Sequence, residues 1–312
     1  MALCWKLRKS RKVNSIDATS TMNRRLFSIG FISLACPGLC AEYLSRQKTF
    51  VGEEIFRRIM TQAQNEEWGR LSVGERVARA GLAMKGTPYV GFTLEIDDLI
   101  ESPSVNFLGL DCWTFFETAL AIARLLERSS IHHTPSRLLQ EIEWTRYRGG
   151  KCGGNYLDRI HYLEEWFRDN AQRRNVADIT PTLAPVVPLT GRKIDEMTVL
   201  WKSYRYLRHN PELRTGMARM EEHLQKHPFH YIPKALVPGV EARLQSGDII
   251  GIVTHKPHVY CSHVGLALRT QDGILRLMHA SSTKKKVIID QSLSGYLEDF
   301  KSHAGIIVAR PL

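Results

Sequence analysis

Gly109-Leu110-Asp111-Cys112-Trp113-Thr114-Phe115-Phe116-Glu117 is the stretch on which the architecture turns. A cysteine follows an aspartate and opens a run with helical apolar spacing: Phe115, Phe116, Ala119, Leu120, Ile122, Ala123 and Leu126. Asp111 suits an N-cap, which places Cys112 in the first helical turn. Unpaired backbone N–H groups and the helix dipole favour a thiolate there, as reactive cysteines require. The plainer account is a small buried residue on a core helix.

Downstream of Gln245 the character changes. Asp248 to Thr254, Ser262 to Thr270, Gly273 to Ala280, Lys286 to Asp290 and Gly305 to Arg310 are short apolar runs separated by turn residues. They predict an antiparallel meander. Upstream, residues 53–68 are amphipathic, Ser72 with Glu75 forms a capping-box pattern, and 135–144, 156–170 and 194–227 read as helical, the last broken at Asn210-Pro211. Helices first and sheet second predict an α+β fold, with the helical part packed on the sheet. Residues 178–189 read as a proline-containing connector, and 171–235 as a helical insertion within a single domain spanning 42–312. The Gly-rich segment 149–154 lacks a P-loop lysine-hydroxyl pair and reads as a plain turn.

Two histidines fall on the strands. His263 shares a face with Gly265 and Ala267, small neighbours that would let a helix approach closely; His279 shares one with Leu275 and Leu277. Alone, either is ordinarily a structural residue. A helix-start cysteine followed by two such histidines has the order of a thiol-dependent site: nucleophile, base, orienting group. The same trio could instead ligate zinc, although a metal ligand has no need of a helix start. The reading adopted takes neither metal nor cofactor.

The formal net charge of +11 is unevenly spread. Residues 1–41 hold seven Lys/Arg against one Asp, and residues 171–235 hold eleven against six Asp/Glu. The leader and one mid-chain stretch therefore carry the surplus, which argues against a nucleic-acid partner. Asn23-Arg24-Arg25 ahead of the apolar stretch 26–39, and Leu39-Cys40-Ala41 after it, predict an export leader over 1–41. Ser33-Leu34-Ala35-Cys36 also fits a lipoprotein cleavage box, with membrane anchoring through a lipidated Cys36. Both place the mature chain in the periplasm or cell envelope. Outside the leader, Cys112, Cys152 and Cys261 remain, and Cys152–Cys261 is the intrachain bridge that spares Cys112.

Asp111-Cys112, Ser262-His263-Val264-Gly265 and His279-Ala280-Ser281-Ser282 resemble the three catalytic blocks of NlpC-type papain-like cell-wall hydrolases. Gly86-Thr87-Pro88-Tyr89 resembles that superfamily's tyrosine loop. Arg146-Tyr147-Arg148, Arg159-Ile160-His161-Tyr162, Tyr231-Ile232-Pro233-Lys234 and Ser246-Gly247-Asp248-Ile249-Ile250 are similar to the N-acetylmuramoyl-L-alanine amidase-like group within it. The resemblance covers roughly 70–312 and departs at His258-Val259-Tyr260-Cys261, where a Gly-Leu-Asp-like turn is expected. It implies Cys112 as nucleophile, His263 as general base then acid, and His279 as orienting residue. Tyr89 would line the site. Arg146 and Arg148 would meet substrate carboxylates or pair within the fold, and Ser281 and Ser282 would line the cleft or bond the strand end. The implied partner is peptidoglycan or its muropeptide fragments.

Overall fold

The structure is a computed structural model, and residues 43–312 are described. The expected leader, with Cys36 and the bond after Ala41, lies outside the described residues. Seven helices carry the argument: α1 Glu53–Asn65, α2 Val73–Ala83, α3 Cys112–Leu125, α4 Pro135–Arg146, α5 Leu163–Gln172, α6 Glu212–Gln225 and α7 Leu293–Glu298. The eight strands of the main sheet are β1 Val176–Asp178, β2 Val187–Pro188, β3 His230–Pro233, β4 Ile249–Thr254, β5 Cys261–Arg269, β6 Leu275–Ser281, β7 Lys286–Ser292 and β8 His303–Pro311. Their order is β2-β3-β8-β4-β5-β6-β7, with β1 beside β8, and every pairing is antiparallel. The fold is thus α+β.

Helix α3 is its centre. Asp111 accepts the Thr114 N–H at 2.8 Å and Thr114 Oγ1 accepts the Asp111 N–H at 3.0 Å, so both ends of a capping box are closed. Phe115, Phe116, Ala119, Leu120, Ile122 and Ala123 are all fully enclosed, because α3 is largely apolar and has neighbours on every side. It packs on α2, α4 and β5. The capping box Ser72–Glu75 starts α2 as its sequence predicts. At Gly81 of α2 a Cβ would come within 2.5 Å of Met278 Cε, so this helix lies hard against the sheet.

Several expectations need correction. Strands β4 to β7 form the predicted meander, but β8 pairs with β4 rather than β7; α7 carries the chain back across the sheet. The stretch 171–235 holds α6 and shorter helices, broken at Asn210-Pro211, but it also contributes β1, β2 and β3 to the sheet. The helix expected from Tyr156 starts at Leu163. A single turn at Tyr156–Asp158 is followed by extended chain, where the Arg159 guanidinium is held by Glu95 at 2.7 Å and Glu101 at 3.5 Å. The small residues Gly265 and Ala267 do lie on a helix-covered face: Ala267 packs with Leu293, Tyr296 and Leu297 of α7, while α3 covers the opposite face through Val264, Leu266 and Leu268. Cys152 and Cys261 are free buried thiols: Cys152 rests 3.6 Å from the Glu101 carbonyl oxygen, and Cys261 borders the cleft described below. The Gly-rich turn donates Gly149 N–H and Gly153 N–H to the carboxylates of Asp169 and Asp158, which closes it on itself.

Candidate active site

A small cleft opens between the start of α3, the chain leading into α5 and the start of β5. Cys112, Trp113, His161, Tyr162, Leu163 and the four consecutive residues Cys261–Val264 border it. Regular alternation would send neighbouring strand residues to opposite faces. A bulge explains the exception: Ile252 faces His263 while the adjacent Val253 faces Cys261, so Ser262 is the extra residue. Bulges re-aim side chains in this way. It brings His263 to the cleft that Cys112 borders.

Behind His263 runs a chain of hydrogen bonds. His263 Nε2 lies 2.6 Å from His279 Nδ1, and His279 Nε2 lies 3.1 Å from Asp290 Oδ2. His279 is buried, and the Tyr296 ring stands edge-on to it at 5.2 Å. Asp290 owes its position to a second bulge, in which Asp290 and Gln291 together oppose Leu277 between the pairs Met278–Ile289 and Arg276–Ser292. The His279 hydrogen bond, foremost among its causes, holds the Asp290 carboxyl below the usual range. An ionised carboxylate only accepts, so His279 Nε2 carries a proton. In a neutral His279, Nδ1 is then the acceptor and His263 Nε2 the donor. That leaves Nδ1 of His263 unprotonated and able to take a proton. Burial, followed by the neighbouring His279, His303 and Lys256, pushes His263 well below the ordinary imidazole range and keeps it in this neutral form.

Cys112 is only 7% exposed, and its thiol is pushed up to about 12 by burial first and the adjacent Asp111 second. The N–H groups of Val264 and Trp113 act in the other direction and are outweighed. The expectation that a helix start favours thiolate therefore does not hold in this resting state: the N-cap that builds the helix brings its own carboxyl beside the sulfur.

The remaining sequence candidates are placed as follows. Arg146 is enclosed, with Nε 2.7 Å from Glu117 and an Nη on the Ser104 carbonyl at 2.8 Å, while Trp166 donates to the other Glu117 oxygen. Arg148 grips Glu165 through two bonds of 2.5 and 2.6 Å and also donates to the carbonyls of Leu157 and Arg159. Both arginines take the ion-pair alternative and tie α3, α4 and α5 together. Tyr89 lies on a segment bridged to Leu110, just ahead of the helix that Cys112 opens. Ser281 accepts the Lys284 N–H at 3.2 Å, which is turn chemistry. Tyr89, Ser281 and Ser282 lie outside the ring of cleft residues. The divergent turn at His258–Cys261 is held from the mid-chain stretch, by Asp195 on His258 at 2.6 Å and by Arg192 on the Thr254 and Val259 carbonyls. The sequence offered no role for Asp290 or Tyr296. The signal for Asp290 was slight: one acid closing the apolar run Val287-Ile288-Ile289. The two histidines turn their facing nitrogens on each other, and among the described residues no group of His, Cys, Asp and Glu is arranged to hold a metal.

Residues 79–306 match the family model described as N-acetylmuramoyl-L-alanine amidase-like. The chain belongs to that family. An N-acetylmuramoyl-L-alanine amidase from Bacteroides uniformis is 31% identical; the alignment covers 77% of this chain and 99% of that one, with a TM-score of 0.69. A Bacteroides fragilis structure provisionally described as a xylanase is 34% identical, with coverages of 74% and 98% and a TM-score of 0.67. A Legionella pneumophila protein at 20% identity, covering 83% of this chain and 95% of its own with a TM-score of 0.62, shares the fold. No curated protein matches the chain. The amidase-like family is one of peptidoglycan hydrolases, and all the residues that border the cleft lie within the matched span.

Proposed function

We propose that this amidase-like protein is a cysteine-dependent enzyme that hydrolyses the amide between the lactyl group of N-acetylmuramic acid and L-alanine. The observation that carries the reading is the Asp290–His279–His263 chain ending at the cleft that Cys112 borders. His263 Nδ1 takes the thiol proton as sulfur attacks the lactyl carbonyl, with backbone N–H groups at the start of α3 supporting the oxyanion. Collapse breaks the C–N bond, and the alanine nitrogen leaves with the proton from His263. Water, deprotonated by His263, then cleaves the thioester and restores the thiol. His279 orients His263, and Asp290 supports the positive charge that passes through the pair. The order Cys112, His263, His279, with a helix start facing a strand, supports placing the fold in the NlpC-type papain-like superfamily. A raised resting thiol pKa is compatible with proton transfer concerted with attack. The cleft border has no carboxylate pair of the kind glycoside hydrolysis uses, which separates this reading from the xylanase description of one neighbour.

Defined muropeptides test the proposal. The expected products are an intact sugar with a free lactyl carboxylate and a peptide with an N-terminal alanine, both abolished by Cys112→Ser. Release of an Ala-Glu dipeptide would assign the enzyme instead to cleavage after D-glutamate. Export to the periplasm or envelope belongs to the same proposal, with residues 1–41 as leader. A Cys36→Ala form that still partitions with membranes would remove the lipid-anchor version of it.

A further inference from the structure

The turn between β6 and β7 carries Lys284, Lys285 and Lys286, all exposed, and none forms an ion pair with an acidic residue among the described residues. Free surface lysines are ordinary, but this turn is not a free loop. Tyr89 N–H donates to the Lys285 carbonyl at 2.9 Å, Val287 N–H to Thr87 at 2.8 Å and Gly86 N–H to Val287 at 2.9 Å. The other side of that same segment is bonded to the approach to the nucleophile, through Leu110 N–H to Pro88 at 3.0 Å and Val90 N–H to Leu110 at 3.0 Å. Two backbone steps therefore separate the lysine turn from Leu110, two residues before Cys112. At ordinary strand spacing that is about 10 Å. At the turn's other end, Ser281 is two residues from His279. The cationic cluster is fixed at both ends to the site.

An extended peptide advances about 3.3–3.6 Å per residue. Groups two or three residues beyond a bond held at Cys112 thus come within reach of flexible lysine side chains on this turn. We propose that Lys284, Lys285 and Lys286 form a subsite for the carboxylates of the substrate's stem peptide, which has a D-glutamate at its second position and acidic groups beyond. The inference rests on the amidase reading for the identity of the peptide. Placement, not charge alone, selects this occupant: the turn's backbone is shared with the segment that bears Tyr89.

Binding and hydrolysis, measured separately, test it. Binding of Cys112→Ala protein to a muropeptide with free stem carboxylates is compared by calorimetry with binding to the same muropeptide fully amidated. The free form is expected to bind about tenfold tighter, the equivalent of two exposed ion pairs of ordinary strength. The difference should shrink as salt rises, and vanish when Lys284→Gln, Lys285→Gln and Lys286→Gln are combined in the same background. Equal affinity for the two ligands, or a preference that survives the triple substitution, overturns the subsite. So does a triple variant that loses only binding to vesicles of anionic phospholipid and keeps its ligand preference. Hydrolysis by the unsubstituted enzyme is read in parallel. No cleavage alongside an intact carboxylate preference would remove the amidase reading and leave the subsite, whereas cleavage of both ligands with equal affinity would do the reverse.

Discussion

Asp290→Asn removes one charge while preserving shape, and the structure sets the size of the effect. The Asp290 oxygen lies 3.1 Å from His279 Nε2, and His279 Nδ1 lies 2.6 Å from His263 Nε2. Along this path the carboxylate acts on a cation at His263 from roughly 8 Å, worth about 2 kcal/mol at an effective dielectric near 20. Loss of that support should lower kcat on a muropeptide by about thirtyfold. The sign on pH follows. A base of the kind proposed for His263 works when unprotonated, and burial already holds this imidazole well below the usual range. The acid limb of kcat/KM should therefore lie below the ordinary imidazole region in the unsubstituted enzyme. Removing the Asp290 charge makes the imidazolium still less favourable, so the limb moves further to acid by about one to one and a half units. A plateau that falls while the limb shifts down is the signature expected. The assay is initial rate against pH with a defined muropeptide, and a thermal melt of each variant controls for folding. An unchanged plateau with an unmoved limb would refute the relay, and so would a limb that moves toward alkaline pH.

Other perturbations separate structural from chemical roles. Arg146→Ala leaves Glu117 buried and uncompensated, and should cost about 3–5 kcal/mol in denaturant unfolding. If Arg146 bound substrate instead, the variant would melt normally and show only a raised KM. Gly265→Ala would place a Cβ 2.9 Å from the Met278 carbonyl oxygen and 3.0 Å from His279 Cβ. It should destabilise by about 1–3 kcal/mol and reduce kcat through displacement of His279, with near-normal kcat counting against that coupling. Alkylation of Cys112 by iodoacetamide, followed by mass spectrometry, should be slow at pH 7 and climb steadily toward alkaline pH, because burial pushes the thiol up to about 12. A plateau reached below pH 7 would show a resting thiolate and contradict this.

What could be read from the chain beforehand follows the range of the forces involved. The start of α3 was legible because a cap and its helix are local, and the four-strand meander because alternation and turns are local too. Cys112, His263 and His279 were legible as an ordered set. Asp290 was not, since its role depends on a bulge that breaks the very periodicity used to assign faces. Alternation divided β5 correctly into two faces but gave no information on which helix covers each: α7 lies over Ala267, and α3 over Val264, Leu266 and Leu268. Arg146 shows a similar limit: sequence reveals a cation, and only packing shows that Glu117 already holds it. The resting state of Cys112 required the net result of burial, a carboxyl and two N–H groups, and its helix position supplied one of these.

The segment 86–89 has a consequence away from chemistry. It occupies the hydrogen-bonding groups at the start of β7, the outermost strand on that side of the sheet. An open edge there would invite strand addition from another copy of the chain. The loop that pairs with Leu110 ahead of α3 is therefore also a guard against self-association. Substitutions that loosen it should be seen first as a loss of solubility on concentration, before any change in the chemistry of the thiol.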